Sequence, residues 1–319
     1  MIGMVLLALL LASCRRFGGA EPTARPSLTP TPRSTPLPPV PTTVPVGETD
    51  NPLLMKFVVE NSRAVASAID DLQQALLEES GLTVTVERVD SDAEALAALC
   101  DSPKGDVTVA WLSGLAYAAA YAQNCGTAQL QIQRGERANA VNGDESLIII
   151  TEDLEAESVG DLADTVFCRL SYDDLYSWLI PSLMLRSGGI TPSSLKVIND
   201  YGDDAETMVE DVATGDCDAA GISASQFESL PNTTVRSALS TLQESVTIPF
   251  AVLVYPVDLP LGQREALTNA LVAIGNGTRG TMLEPLLDQD EITAVTDEEL
   301  SSLRNFFERA GIDLAQAGT

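Results

Sequence analysis

The densest run of chemically capable side chains lies at 171–178, Ser-Tyr-Asp-Asp-Leu-Tyr-Ser-Trp. Asp173 and Asp174 are adjacent carboxylates, flanked by Tyr172, Tyr176 and Trp178 in a chain that is only 5% aromatic. Carboxylates beside aromatic faces hold amines and flat polar solutes, through ion pairing and cation–π attraction. Ser177 adds a hydroxyl to the same segment. The same acids also suit a helix start, because Ser171-x-x-Asp174 puts a carboxylate in a first turn, where the helix dipole favours it. Residue types alone leave both roles open. As a catalytic pair the two aspartates lack company. The chain has no histidine, no GxSxG, no GxxxxGK[ST] and no clustered metal ligands. His-based triads, His metal sites and the usual neutral-pH proton shuttle are excluded, and we expect no enzyme, no cofactor and no metal.

The second reactive feature is cysteine. Residues 2–12 (IGMVLLALLLA) are apolar and too short to span a bilayer, which fits a signal-peptide core. Leu11-Ala12-Ser13-Cys14 follows and resembles the bacterial lipobox, with Cys14 as the thiol to be lipidated after cleavage. Residues 1–14 are therefore expected to be a lipoprotein signal peptide and lipobox. Nine prolines interleaved with Ser and Thr fill 21–47, a composition that cannot bury a core and favours extended chain. At roughly 3 Å per residue, a linker over 15–50 reaches about 100 Å from a membrane anchor. Four cysteines remain, Cys100, Cys125, Cys168 and Cys217, an even number suited to an oxidising, extracytoplasmic compartment. Three pairings are possible. We expect the nearest-neighbour one, Cys100–Cys125 and Cys168–Cys217, which keeps each bridge inside one lobe of the body described below. No C-x-x-C spacing is present, so zinc is not expected.

These groups must be positioned by an alternating body. Leu54–Val59 reads as a buried strand, followed by a helix opened at Asn61 or Ser62, with Val65, Ala68, Ile69, Leu72 and Leu76 on one face and Gly81 closing it. Strands are expected at 83–89 and 106–111. Helices follow Ser91-x-x-Glu94, a capping box, and fill 114–123. The rhythm restarts after 147–151, with strands at 166–170, 195–198 and 219–222 and helices at about 176–187 and 204–214. It closes with a strand at 250–255 and helices near 262–275, 278–287 and 297–310. This pattern predicts an α/β protein of two lobes, each a mainly parallel sheet flanked by helices. The expected division is 51–150 plus 246–319 for the first lobe and 151–245 for the second. Glu60 and Ser223 fall at strand ends, where such sheets present ligands. Four basic and three acidic residues precede residue 51, which leaves the body 14 basic and 43 acidic side chains and a charge of −29. Such a body repels nucleic acid.

From about 51 to 313 the chain resembles the phosphate/phosphite/phosphonate-binding proteins of ABC transporters (PhnD-like). The resemblance is carried by the order of short phrases: Asn51-Pro52-Leu53-Leu54-Met55, Gly105-Asp106-Val107-x-Val109-Ala110-Trp111-Leu112 leading into Ala116-Tyr117, Ser158-Val159-x-Asp161-Leu162, Val212-Ala213-x-Gly215-x-Cys217-Asp218-Ala219 and Asp258-Leu259-Pro260. It implies the type II periplasmic-binding fold and capture of a small molecule, a phosphonate/phosphate-family ligand or a diverged amine or zwitterionic one, for an importer's permease; with the lipobox, the expectation is a monomer held to the membrane through lipid on Cys14. A degenerate sensor presenting its clamp to a membrane receptor is the alternative. The resemblance also aligns Trp111, Ser113 and Tyr117 with first-lobe cleft residues. The family's Ser-Thr-Ser-Gly cradle for phosphoryl oxygens falls on Asp174, Leu175, Tyr176 and Ser177, of which only Ser177 keeps a serine or threonine hydroxyl. A family aspartate after Ile-Pro falls on Ala251, beside Phe250, and the family histidine has no counterpart. One carboxylate about 4 Å from a phosphate charge costs around 4 kcal/mol at an effective dielectric of 20, against roughly 0.3–2 kcal/mol gained at a helix N-terminus. If the aspartates line the cleft, an amine or zwitterion is therefore expected before bare phosphate.

Overall fold

The computed structural model describes residues 44–104, 106–135 and 139–316; the expected signal segment, Cys14 and most of the linker lie outside them. Apolar alternation sets the first strands. In β1 (Leu53–Val58) every second residue is buried, and β2 (Val84–Val89) and β3 (Thr108–Leu112) join it in parallel. The crossovers are α1 (Arg63–Ser80) and α2 (Asp92–Asp101). Ser62 caps α1 by accepting from Val65 N–H, and Gly81 ends it in the left-handed conformation at φ 71°, which glycine adopts without cost. After β3 comes α3 (Gly114–Ala122), then β4 (Gly126–Gln133), the two-residue β5 (Gly143–Asp144) and β6 (Ser146–Thr151).

The next stretch runs through β7 (Val166–Arg169), α4 (Ile180–Ser187), β8 (Val197–Asp200), α5 (Ala205–Thr214), β9 (Ala219–Ser223), α6 (Ala224–Ser229), α7 (Thr233–Ser237) and β10 (Leu239–Glu244). The chain ends with β11 (Ile248–Pro249), β12 (Val252–Pro256), α8 (Leu261–Gly275), α9 (Glu284–Leu287), β13 (Glu291–Ala294) and α10 (Ser301–Arg309).

Two sheets result. The larger has the order β13-β4-β12-β3-β1-β2 and the smaller β10-β6-β9-β7-β8. Each combines a set of strands running one way with strands that run against it: β12 and β13 in the first, β6 in the second. Between them runs a ribbon in which Asp144 pairs with Ile248 and Gly143 with Pro249. The chain passes from β4 through β5 to β6 and returns from β10 through β11 to β12, so both crossings go through this ribbon. A Cβ on Gly143 would stand 2.2 Å from Ile248 O, and the close approach of the two crossings requires glycine there.

Some elements differ from the expectation, each for a local reason. The expected helix at 278–287 is two short turns, Gly280–Met282 and α9, because Gly277, Gly280 and Pro285 interrupt it. The helix expected from 297 begins at Ser301, although Thr296 and Glu299 do exchange the expected hydrogen bonds. The helix expected at 176–187 opens with a wide turn, in which Leu179 N–H donates to Asp174 O at 2.9 Å, five residues back. Pro181 has no N–H to offer Ser177 O, and that carbonyl instead lies against β9, where a Cβ on Gly221 would meet it at 2.2 Å. Disulfides join Cys100 to Cys125, at the end of α2 and the start of β4, and Cys168 to Cys217, in β7 and the turn before β9.

Candidate ligand-binding site

The pairing places four strand ends on one edge of the larger sheet. The C-terminal ends of β1 and β3 lie beside the start of β12, where Val252 faces Leu112, and beside the end of β4, where Val252 faces Gln131. Helices that follow parallel strands start at this same edge, so it gathers exposed N–H groups. A cavity of about 350 Å³ opens there. Its apolar walls are Phe57, Trp111 and Phe250, with Phe57 and Trp111 stacked at 6.3 Å between ring centroids. Trp111 is almost fully buried, and its indole N–H has no acceptor among the described residues. Ser113 caps α3 by accepting from Ala116 N–H, while its hydroxyl donates to Asp92 Oδ2 at 2.6 Å and its own N–H donates to Oδ1 at 3.2 Å. Arg134 lies with its guanidinium 4.2 Å from the centre of the Phe250 ring and donates through Nε to Asp288 O at 2.7 Å. Asp288 and Glu284 complete an acidic rim.

The smaller sheet turns an equivalent edge toward the ribbon, made of the ends of β7 and β9 and the start of β6. Its polar groups are mostly occupied locally. Asp174 caps the wide turn by accepting from Ser177 N–H at 2.5 Å, and Ser177 Oγ accepts from Leu170 N–H at 3.0 Å. Ser223 Oγ accepts from Gln226 N–H at 3.1 Å as the cap of α6. Asp144, in the ribbon, accepts from the Ser225 hydroxyl at 2.6 Å and from Ser225 N–H at 3.2 Å, which fastens the ribbon to α6. Asp173 is exposed and takes the Ser171 hydroxyl at 2.7 Å, a bond that holds its carboxyl below the usual range. Tyr176 is half-buried. Burial pushes its phenol far up, and the carboxylate of Asp144 pushes the same way while Arg134, across from it, opposes. The Ser146 hydroxyl donates to Tyr176 O at 2.6 Å, which ties this turn to the start of β6, where the chain leaves the ribbon.

A family model for the periplasmic substrate-binding proteins of phosphonate ABC transporters matches residues 57–300. The chain belongs to this family. Members bind solute for an ABC importer outside the cytoplasm, and that is the role of this chain; it is a transport component by family and not an enzyme. The fold is shared with a binding-protein component of an ABC phosphonate transporter from Pseudomonas aeruginosa, at 18% identity over 84% of this chain and 87% of that one, with a TM-score of 0.50. A Xanthomonas citri protein solved bound to chloride ion is similar at 15% identity, covering 81% of this chain and 98% of that one, with a TM-score of 0.55. The same protein solved bound to ATP also gives 0.55, at 12% identity over 81% of this chain and 97% of that one. These are type II periplasmic-binding folds, sheets flanked by helices. No curated protein sequence matches the chain.

Among the residues singled out in the sequence, Trp111 and Ser113 line the cavity of this solute-binding protein. Asp174 caps the wide turn that holds Tyr176 and Ser177, Tyr172 and Asp173 lie in the turn just before it, and Ser223 ends β9 on the same side. Glu60 follows β1 as an exposed residue beyond the cavity-lining Val58 and Val59. Tyr117 is fully enclosed, donating to Asp297 Oδ1 and accepting from Arg304 Nη1, each at 2.9 Å. Burial and Asp297 hold its hydroxyl far above the ordinary tyrosine range. It belongs to the packing of α3 against the C-terminal segment. Asp92 and Arg134 were not legible as site residues. Asp92 carried a signal, as the acid next to the Ser91 cap. Arg134 had none, since β4 was not recognised and nothing located its end.

Proposed function

We propose that this chain is a lipid-anchored, monomeric clamp. The cavity at the edge of the six-stranded sheet captures a small amine or zwitterion, and the five-stranded sheet closes over it about the β5–β11 ribbon. The observation that carries the reading is the cavity itself: walled by Phe57, Trp111 and Phe250 at the C-terminal ends of parallel strands, with Arg134 and three carboxylates among its lining residues. Open α/β sheets present ligands at such ends.

The charge of the rim supports the ligand class. Asp92, Glu284 and Asp288 outnumber Arg134. A carboxylate about 4 Å from a phosphate charge costs around 4 kcal/mol at an effective dielectric of 20, while the same carboxylate attracts an ammonium. A ligand with both charges can place its oxyanion toward Arg134 and the start of α3 and its amine toward the acids. The two sheets correspond to two lobes in this reading, with the Pro-rich linker and Cys14 tethering them to the membrane beside a permease. Replacing Cys14 with Ala is expected to release the protein from membranes, and unchanged partitioning would remove the anchor from the account. A thermal-shift panel of phosphate, methylphosphonate, aminoethylphosphonate and amino acids tests the ligand class. Stabilisation by the amine-bearing compounds and not by phosphate is expected; the reverse order overturns it.

A further inference from the structure

Arg169 ends β7 only 9% exposed, an unusual place for a guanidinium. Its Nε donates to Asp200 Oδ1 at 2.5 Å, and Asp200 is its register partner in β8. That pair accounts for one nitrogen. The other two guanidinium nitrogens have no acceptor among the described residues, and the group lies between two rings, 4.5 Å from the centre of Trp178 and 5.3 Å from that of Tyr172. Trp178 is buried and packs edge-on against Phe167 at 5.8 Å, so its position is fixed. Tyr172 is the opposite: its residue is 71% exposed. It sits on a pinned turn, closed by Asp174 N–H to Ser171 O at 3.4 Å and by the Ser171 hydroxyl on Asp173. A large aromatic ring is thus left in water with a cation behind it, four residues before Tyr176, whose carbonyl the Ser146 hydroxyl holds against the strand that leaves the ribbon.

A β7–β8 ion pair explains the burial of Arg169 but not the ring stacked on it. We propose that Arg169 is a positioning residue that holds the Tyr172 ring as an aromatic lip, so that the clamp prefers solutes with a planar, apolar portion to stack there. The inference rests on the reading that the facing cavity captures the solute. The stack carries the fixed position of Trp178 outward, so Tyr172 meets a ligand already ordered and loses little rotamer freedom on binding.

Calorimetry with amino(phenyl)methylphosphonate and aminomethylphosphonate, two amine-bearing phosphonates that differ by the ring, tests it. The wild type should bind the phenyl compound about fivefold more tightly than the one without the ring, the size of one aromatic stacking contact. Tyr172→Ala and Arg169→Gln should each abolish the preference while leaving aminomethylphosphonate affinity within about twofold, and Tyr172→Phe should retain it. Tyr172→Ala alters an exposed turn and keeps the test alive if Arg169→Gln fails to fold. In a Tyr172→Trp variant, Arg169→Lys should lower the fluorescence anisotropy of the new indole, as the planar clamp is lost. Equal affinity of the wild type for both phosphonates, or a preference that survives Arg169→Gln, overturns the lip and leaves the cavity standing. Binding of neither overturns the cavity reading and the lip with it.

Discussion

At the edge of the six-stranded sheet, Ser113 divides its hydroxyl between capping α3 and donating to Asp92, and beside that pair the wall stays open around a cavity. At the edge of the five-stranded sheet, Asp174, Ser177 and Ser223 make the same kinds of bonds, and the turn they build is closed over itself. Both edges offer polar side chains at helix starts. They differ in what the polar groups leave behind: aromatic walls with an unsatisfied indole on one side, satisfied backbone on the other. A hydroxyl or carboxylate at a helix start is therefore weak evidence for a ligand until its local bonds are counted.

The largest expected effect falls on the closed edge. Gly221→Ala would drive a methyl into Ser177 O and Pro181, at 2.2 and 2.7 Å. Because the first of these is backbone, the wide turn must move, at a cost of about 3 kcal/mol. Urea unfolding should show it; a change below about 1 kcal/mol would mean that the turn is not held against β9 as described. Next comes Asp174→Ala, which removes a cap and should cost about 1 kcal/mol of stability with ligand affinity unchanged. A loss of affinity at constant stability would instead make Asp174 a ligand group and erase the contrast between the edges.

The smallest effect is alkaline. Burial and the acceptor Asp211 push the Tyr201 hydroxyl, which also lies 3.4 Å from Cys217 Sγ, up to about 12. An unfolded tyrosine ionises near pH 10, so the unfolded chain loses this proton first. The contribution of Tyr201 is intact below about pH 10 and is lost as pH rises toward about 12. Tyr201→Phe should flatten part of that decline in a pH series of unfolding midpoints, and an unchanged slope would remove Tyr201 from the account.

How much could be read in advance follows the same contrast. The period of α1, its Ser62 start and its Gly81 stop were plain, because packing and backbone conformation there agree with residue type. The nearest-neighbour disulfides found in the fold were also anticipated. Strand β4 was hidden because Gln129, Gln131 and Gln133 interleave with its apolar residues, and β10 because four of its six residues are polar. With β4 unseen, Arg134 had no address. The run 171–178 was conspicuous for its chemistry, yet capping and ligand binding select the same side chains, and only the fold shows that Asp174 and Ser177 are engaged with backbone.

The most direct test of the cavity as the solute site is calorimetry of aminoethylphosphonate binding to the wild type, Phe250→Ala and Arg134→Gln. Phe250 and Arg134 form the stacked pair on the cavity rim, and each substitution should weaken binding about tenfold, the equivalent of about 1.4 kcal/mol. Asp173→Asn, on the facing turn, should leave affinity unchanged. Full affinity in both rim variants, together with a loss in Asp173→Asn, would contradict the account and move the site to the other sheet.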